Sequence, residues 1–130
     1  MWSKITFVFA CSFLVGFITP SKSRGDALAI GFCPKVVGSV APARGPDLDT
    51  AKRKALQNCR AFGGSSGCCK VIVELDDDNY DNCIAIAVGS GGKYGSGSGM
   101  NELDAGSEAV EDCPAQGCVI KSQFCRERSR

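Results

Sequence analysis

No histidine occurs anywhere in these 130 residues. That absence removes Ser-His-Asp and Cys-His catalysis, because the base in both is an imidazole. It also removes the commonest metal ligand. The nine cysteines include no C-x-x-C pair, so neither a zinc site of ordinary spacing nor a working redox dithiol is written in the chain. Charge of one sign is not in excess. From Asp26 onward twelve Lys and Arg stand against fourteen Asp and Glu, a net of −2, which is not the basic balance of a nucleic-acid binder. No apolar run reaches the roughly 20 residues that a membrane-spanning helix needs.

The longest apolar run comes first. Ile5 to Ile18 is fourteen residues without a charge, preceded by Lys4 and followed by Pro20 and the polar stretch Ser21 to Gly25. This is the layout of a secretory signal peptide over residues 1–25, cleaved after Ser23 or Gly25, where small residues fill the −1 and −3 positions. Cys11 lies inside the apolar run, whereas the modified cysteine of a lipoprotein follows it. No transmembrane segment is expected after cleavage.

Removal of the leader leaves Cys33, Cys59, Cys68, Cys69, Cys83, Cys113, Cys118 and Cys125. An even number in so short a chain behind a signal peptide reads as a disulfide framework. A domain of this size buries only about two thirds of its unfolded surface, so cross-links carry much of the stability.

The chain repeats itself. Ala51-Lys52-Arg53-Lys54-Ala55-Leu56-Gln57-Asn58-Cys59 and Ala105-Gly106-Ser107-Glu108-Ala109-Val110-Glu111-Asp112-Cys113 both read A-x-x-x-A-[LV]-x-x-C. An apolar run precedes each, Ala27 to Gly31 and Ile84 to Gly89. A further cysteine and a β-branched run follow each, Cys68 to Val73 and Cys118 to Ile120. Each unit reads as strand, strand, helix, strand, with repeat 1 over about 27–75 and repeat 2 over about 83–125. Asp47 or Asp49 caps the first helix, whose face is Leu48, Ala51, Ala55, Leu56, Cys59 and Phe62. Asn101 caps the second, with Asp104 three residues on, and its apolar face is Leu103, Ala109, Val110 and Cys113. Small residues at i and i+4 let each helix lie close on a sheet. Both helices end in cysteine, which suggests a staple to the next strand: Cys59 to Cys68 or Cys69, and Cys113 to Cys118. The remaining cysteines form the other two bridges. The expected fold is α+β, with two β-β-α-β repeats sharing one mainly antiparallel sheet and two helices packed on it. This single domain spans 26–125, with a frayed basic tail over 126–130.

The order of these features resembles a domain-of-unknown-function family of small exported bacterial proteins. The matching segments are Cys83 to Gly89, Tyr94-Gly95-Ser96-Gly97-Ser98-Gly99, and Gly117 to Ile120. The likeness covers essentially the whole mature chain. Cys33 and the doubled Cys68-Cys69 depart from it and imply one bridge beyond the family's usual set. The second strand also has Ser and Gly where members often place Trp or Tyr. The resemblance implies fold and export, and no activity.

Three segments invite a chemical reading. Gly63-Gly64-Ser65-Ser66-Gly67 matches G-x-S-x-G, but it follows a helix and precedes a strand, the reverse of a nucleophile elbow; it reads as a loop. Asp77, Asn79 and Asp81 fill the first alternating positions of an EF-hand loop. Asn82 then replaces its glycine and Val88 its bidentate glutamate, so the match fails and the segment reads as a solvated turn. The glycine-rich run Gly89 to Gly99 holds no phosphate-binding pattern. It reads as a hairpin turned by Ser90 to Lys93, whose second strand is exposed to a peptide or glycan.

These absences point to an exported, non-enzymatic binding protein of the cell envelope or extracellular space. Its partner is an unknown protein or envelope component. The candidate ligand surface is Asp76, Asp77, Asp78, Asp81 and Tyr94, with no catalytic residue, metal or cofactor expected. The alternative is a histidine-independent hydrolase using carboxylates of the 74–81 segment, since paired carboxylates with split proton affinities can do acid–base work.

Overall fold

The computed structural model describes residues 26–126; the leader segment 1–25 and tail residues 127–130 lie outside the described residues. The elements are β1 (Ala27–Cys33), β2 (Val36–Gly45), α1 (Leu48–Ala61), β3 (Lys70–Leu75), β4 (Cys83–Val88), β5 (Tyr94–Gly99), α2 (Glu102–Asp112) and β6 (Val119–Cys125). The α+β class and both β-β-α-β units are as the sequence indicates. The expected single sheet is instead two antiparallel three-stranded sheets, ordered β2-β1-β3 and β5-β4-β6.

The reason lies in the central strands, which have no polar face. β1 alternates small and large, Ala27-Leu28-Ala29-Ile30-Gly31-Phe32-Cys33, and β4 does the same from Cys83 to Val88, with every residue of both strands buried. Side chains alternate between sheet faces. The large set, Leu28, Ile30, Phe32, Ile84, Ile86 and Val88 with Leu75, meets in one core between the sheets. The small set of β1 packs on Ala51 and Ala55 of α1, and that of β4 on Ala105 and Ala109 of α2. The molecule is therefore layered helix, sheet, sheet, helix. Each large core side chain contributes roughly 1.5–3 kcal/mol by leaving water.

The two units also share an irregularity. The β1–β3 ladder shifts register between Ile30 and Gly31, and the β4–β6 ladder between Ile86 and Ala87. A bulge at matching positions makes the repetition structural as well as sequential. Asp47 and Asn101 cap the helices by accepting from the Thr50 and Asp104 backbone N–H groups.

The helix faces differ from expectation at their bulkiest residues. α2 buries Ala105, Gly106 and Ala109, while Leu103 is 77% and Val110 41% exposed; Phe62, past the end of α1, is also exposed. Small residues win the sheet-facing positions because the strand beneath α2 is glycine. A Cβ on Gly95, Gly97 or Gly99 would lie 2.4–2.6 Å from α2 atoms. β5 is thus covered by α2, contrary to its reading as an exposed strand, and a bulky side chain at Ala105 or Ala109 would not fit there.

Among the described residues four disulfides join Cys33–Cys68, Cys59–Cys69, Cys83–Cys125 and Cys113–Cys118. The helix-to-strand staples fall where the sequence suggests, and Cys69 is the partner of Cys59. Each bridge closes within one unit.

Candidate functional site

The acidic segment forms a loop between β3 and β4. Its backbone is folded around Arg126, which is 4% exposed. The guanidinium donates to the carbonyls of Asp76, Asp77, Asn79 and Asp81 at 2.7–3.3 Å, and the Arg126 backbone N–H donates to Asn82. The tail was expected to fray from residue 126; instead its first residue is a buried clamp. A planar fork of five donors suits a ring of converging carbonyls.

With the carbonyls turned inward, the carboxylates of Asp76, Asp77 and Asp78 project to the surface, their oxygens within 4.8 Å of one another. Asp76 Oδ1 accepts from the Asp77 N–H. The Asp76 side chain, partial loss of solvent and the negative charges of Asp76 and Asp78 hold the Asp77 carboxyl above its ordinary range. Asp81 does not join this cluster, because its Oδ2 accepts from Ser98 Oγ at 3.0 Å. Asn79 Oδ1 accepts from the Asp81 N–H, so two of the three alternating EF-hand positions, Asn79 and Asp81, are engaged by the chain itself. Tyr94 is elsewhere, edge-on to Phe32 with ring centroids 5.5 Å apart, where it closes the core between the sheets. The five residues expected to share one ligand surface therefore separate into a surface triad, a pinned aspartate and a core tyrosine.

A second site lies outside the residues that the sequence singles out. Between α2 and β6 runs a groove of about 510 Å³ lined by Glu102, Leu103, Gly106, Val110, Glu111 and Ile120, among others. Gly106 is buried beneath the Ile120 and Gln123 side chains, since a Cβ there would lie 2.7 Å from Ile120 Cδ1 and 2.9 Å from Gln123 Oε1. The matching strip of the first unit is bridged by a charged pair. The helix repeat is offset by 54 residues, so Lys52 corresponds to Gly106, Asp49 to Leu103 and Leu56 to Val110. Ladder register matches Glu74, opposite Ala29, with Gln123, opposite Ala85, and Val71 with Ile120. In the first unit Lys52 and Glu74 form an ion pair at 3.6 Å across the strip. In the second unit glycine and glutamine replace that pair, and leucine replaces an aspartate. The signal was present in the repeat alignment, as the positions where equivalent residues change chemistry.

The edges of the second sheet differ as well. Along β5, the N–H groups of Ser96 and Ser98 donate to Asp112 Oδ2 and Glu108 Oε1 at 3.0 and 2.7 Å, so α2 closes that edge. β6 is the opposite edge, and Val119, Ile120, Lys121 and Gln123 are exposed along it.

Residues 26–125 match a known family along almost the whole described chain. The chain belongs to the family DUF4189, a domain of unknown function. Among solved structures, the DUF4189 chain is similar to the NMR structure of Rv1813c from Mycobacterium tuberculosis, at 20% identity and a TM-score of 0.53. That likeness covers 95% of this chain and 99% of the other, and it concerns the fold. No curated protein is similar to this DUF4189 chain. Among the described residues no helix is long and apolar enough to cross a membrane.

Proposed function

We propose that this protein is exported, is not an enzyme, and acts by binding a partner in the groove between α2 and β6. Export is supported by the four disulfides, which persist in oxidising compartments, and by the leader-like N-terminus. The observation that carries the binding reading is the difference between the repeats. One scaffold appears twice; one copy bridges its helix–strand strip with a charged pair, and the other lacks that pair and lines the strip with exposed Leu103, Val110 and Ile120. Exposed apolar side chains gathered in a concave strip and rimmed by charge are the usual make-up of an interaction site.

A photo-crosslinking side chain at position 103, compared with one at equivalent position 49, tests this in the producing cell. A discrete adduct from 103 and none from 49 is expected. Equal or absent labelling at both positions would count against the groove.

The hydrolase reading draws on the Asp76–Asp77 pair, in which one carboxyl is raised beside another, the split that acid–base work requires. The pair stands on a solvent-facing loop. Replacing Asp76, Asp77, Asp78 and Asp81 by asparagine should abolish turnover in a folded protein if that reading is right.

A further inference from the structure

Resting on the groove as the binding surface, the geometry points to its occupant: we propose an extended peptide segment with the pattern basic-x-apolar-x-basic, added as a strand to the open edge of β6.

Three observations converge on this class. The first is backbone chemistry. An edge strand presents alternate N–H and C=O groups to any strand laid beside it. The β5 edge of the same sheet has its Ser96 and Ser98 N–H groups taken by α2 carboxylates, which leaves β6 as the edge available for pairing.

The second is direction. Gly99 lies against Asp104 and Ala105, Gly97 against Ala105 and Ala109, and Gly95 against Ala109 and Cys113. α2 therefore runs lengthwise along its sheet, and a strand added to β6 would lie alongside the helix. Alternate side chains of that strand would enter the groove, where Leu103, Val110 and Ile120 offer contact to one apolar residue.

The third is charge. α2 carries Glu102, Asp104, Glu108, Glu111 and Asp112 and no basic residue. Glu108 and Asp112 are engaged by β5, while Glu102 and Glu111 line the groove. Lys121 lines a separate depression with Val37 and Val40, so it does not neutralise them there. Glu111 lies nine positions after Glu102, a rise of about 13.5 Å and about two and a half turns, so the two glutamates stand near opposite ends of the groove and on opposite flanks of it. Four residues of an extended chain span about the same distance. Long basic side chains at i and i+4 would therefore reach towards the two ends of the groove, one to each glutamate, with the apolar anchor at i+2 between them.

The test is a titration of the isotope-labelled, disulfide-bonded protein with the synthetic peptide Gly-Lys-Thr-Val-Thr-Lys-Gly, blocked at both ends, and with the same peptide carrying Glu for Lys. The expected result is saturable displacement of the Ile120 to Gln123 and Gly106 amide signals, with the acidic peptide binding at least ten-fold more weakly. The double substitution Gly106→Lys and Gln123→Glu rebuilds the ion pair of the first unit across the groove and should abolish binding. Leu103→Lys, at an exposed position that carries no folding load, should weaken it at least ten-fold. Unmoved β6 signals, or equal binding of the two peptides, would overturn the peptide class. If position 103 still crosslinks to a partner in cells, the groove reading survives that failure; if it does not, both fall together.

Discussion

Arg126 illustrates how one side chain can set the shape of a segment far from it in sequence. It lies next to Cys125, so the Cys83–Cys125 bridge fixes where its guanidinium begins, and four carbonyls of the acidic loop converge on it. Arg126→Ala should cost about 2 kcal/mol in denaturant unfolding, as hydrogen bonds to a charged group are lost. Arg126→Lys should recover only part of this, because an ammonium lacks the planar fork. Asp77 on the same loop is the opposite kind of residue. Its carboxyl is raised in the folded protein, first by the Asp76 side chain, so the native state holds that proton more tightly than the unfolded chain does. As pH rises from the unfolded to the folded titration range the native state holds the extra proton, and stability falls until both states are ionised. Asp77→Asn should therefore raise the melting temperature at pH 7 and leave it nearly unchanged at pH 3, read by thermal unfolding at both values. None of this was legible in the sequence. A run of aspartates beside a basic tail reads as two solvated segments, and only the tertiary fold places Arg126 under the loop.

At the scale of elements, the contact between α2 and β5 is a glycine strand pressed on an alanine helix face. Gly97 makes the point, since a Cβ there would stand 2.4 Å from the Ala105 carbonyl oxygen, a backbone atom that cannot move without the helix. Gly97→Ala should destabilise by at least about 3 kcal/mol, the upper range for overpacking. Gly38→Ala on β2, where nothing lies within 4 Å of the added carbon, should change stability by under about 1 kcal/mol. Urea unfolding of the two variants side by side gives the comparison. The A-x-x-x-A spacing announced close packing, and the helices, caps and helix-end staples were readable from it. The bulky residues of α2 mislead, because Leu103 and Val110 are apolar at helical spacing and read as part of the helix's apolar face. The glycines of β5 hold the explanation: a strand without side chains admits only small partners, which turns the larger ones outward. The groove follows from the exchange of Lys52, Glu74 and Asp49 for Gly106, Gln123 and Leu103, which shows only when the two repeats are compared position by position.

The whole molecule is two units joined through their large-residue faces, and this decides what holds them together. Cys33–Cys68 and Cys59–Cys69 lie in the first unit, Cys83–Cys125 and Cys113–Cys118 in the second. No disulfide crosses between them, so cohesion across the molecule rests on the apolar layer built from Leu28, Ile30, Phe32, Leu75, Ile84, Ile86 and Val88, together with the loop clamped by Arg126. The small/large alternation of β1 and β4 already stated that both strand faces are buried, which a single sheet with helices on one side cannot satisfy; read that way, the sequence contained the four layers. Seven large side chains at roughly 1.5–3 kcal/mol each outweigh the cost of one break in a surface loop. A protease site introduced between Asp78 and Asn79 should thus yield, on cutting, two fragments that co-elute as one particle under native conditions. The same sample should separate into two bands in denaturing detergent without any reductant. Fragments that part under native conditions would show that chain continuity, and not the core, keeps the sheets together. A single band in unreduced detergent would show that a bridge crosses the units after all.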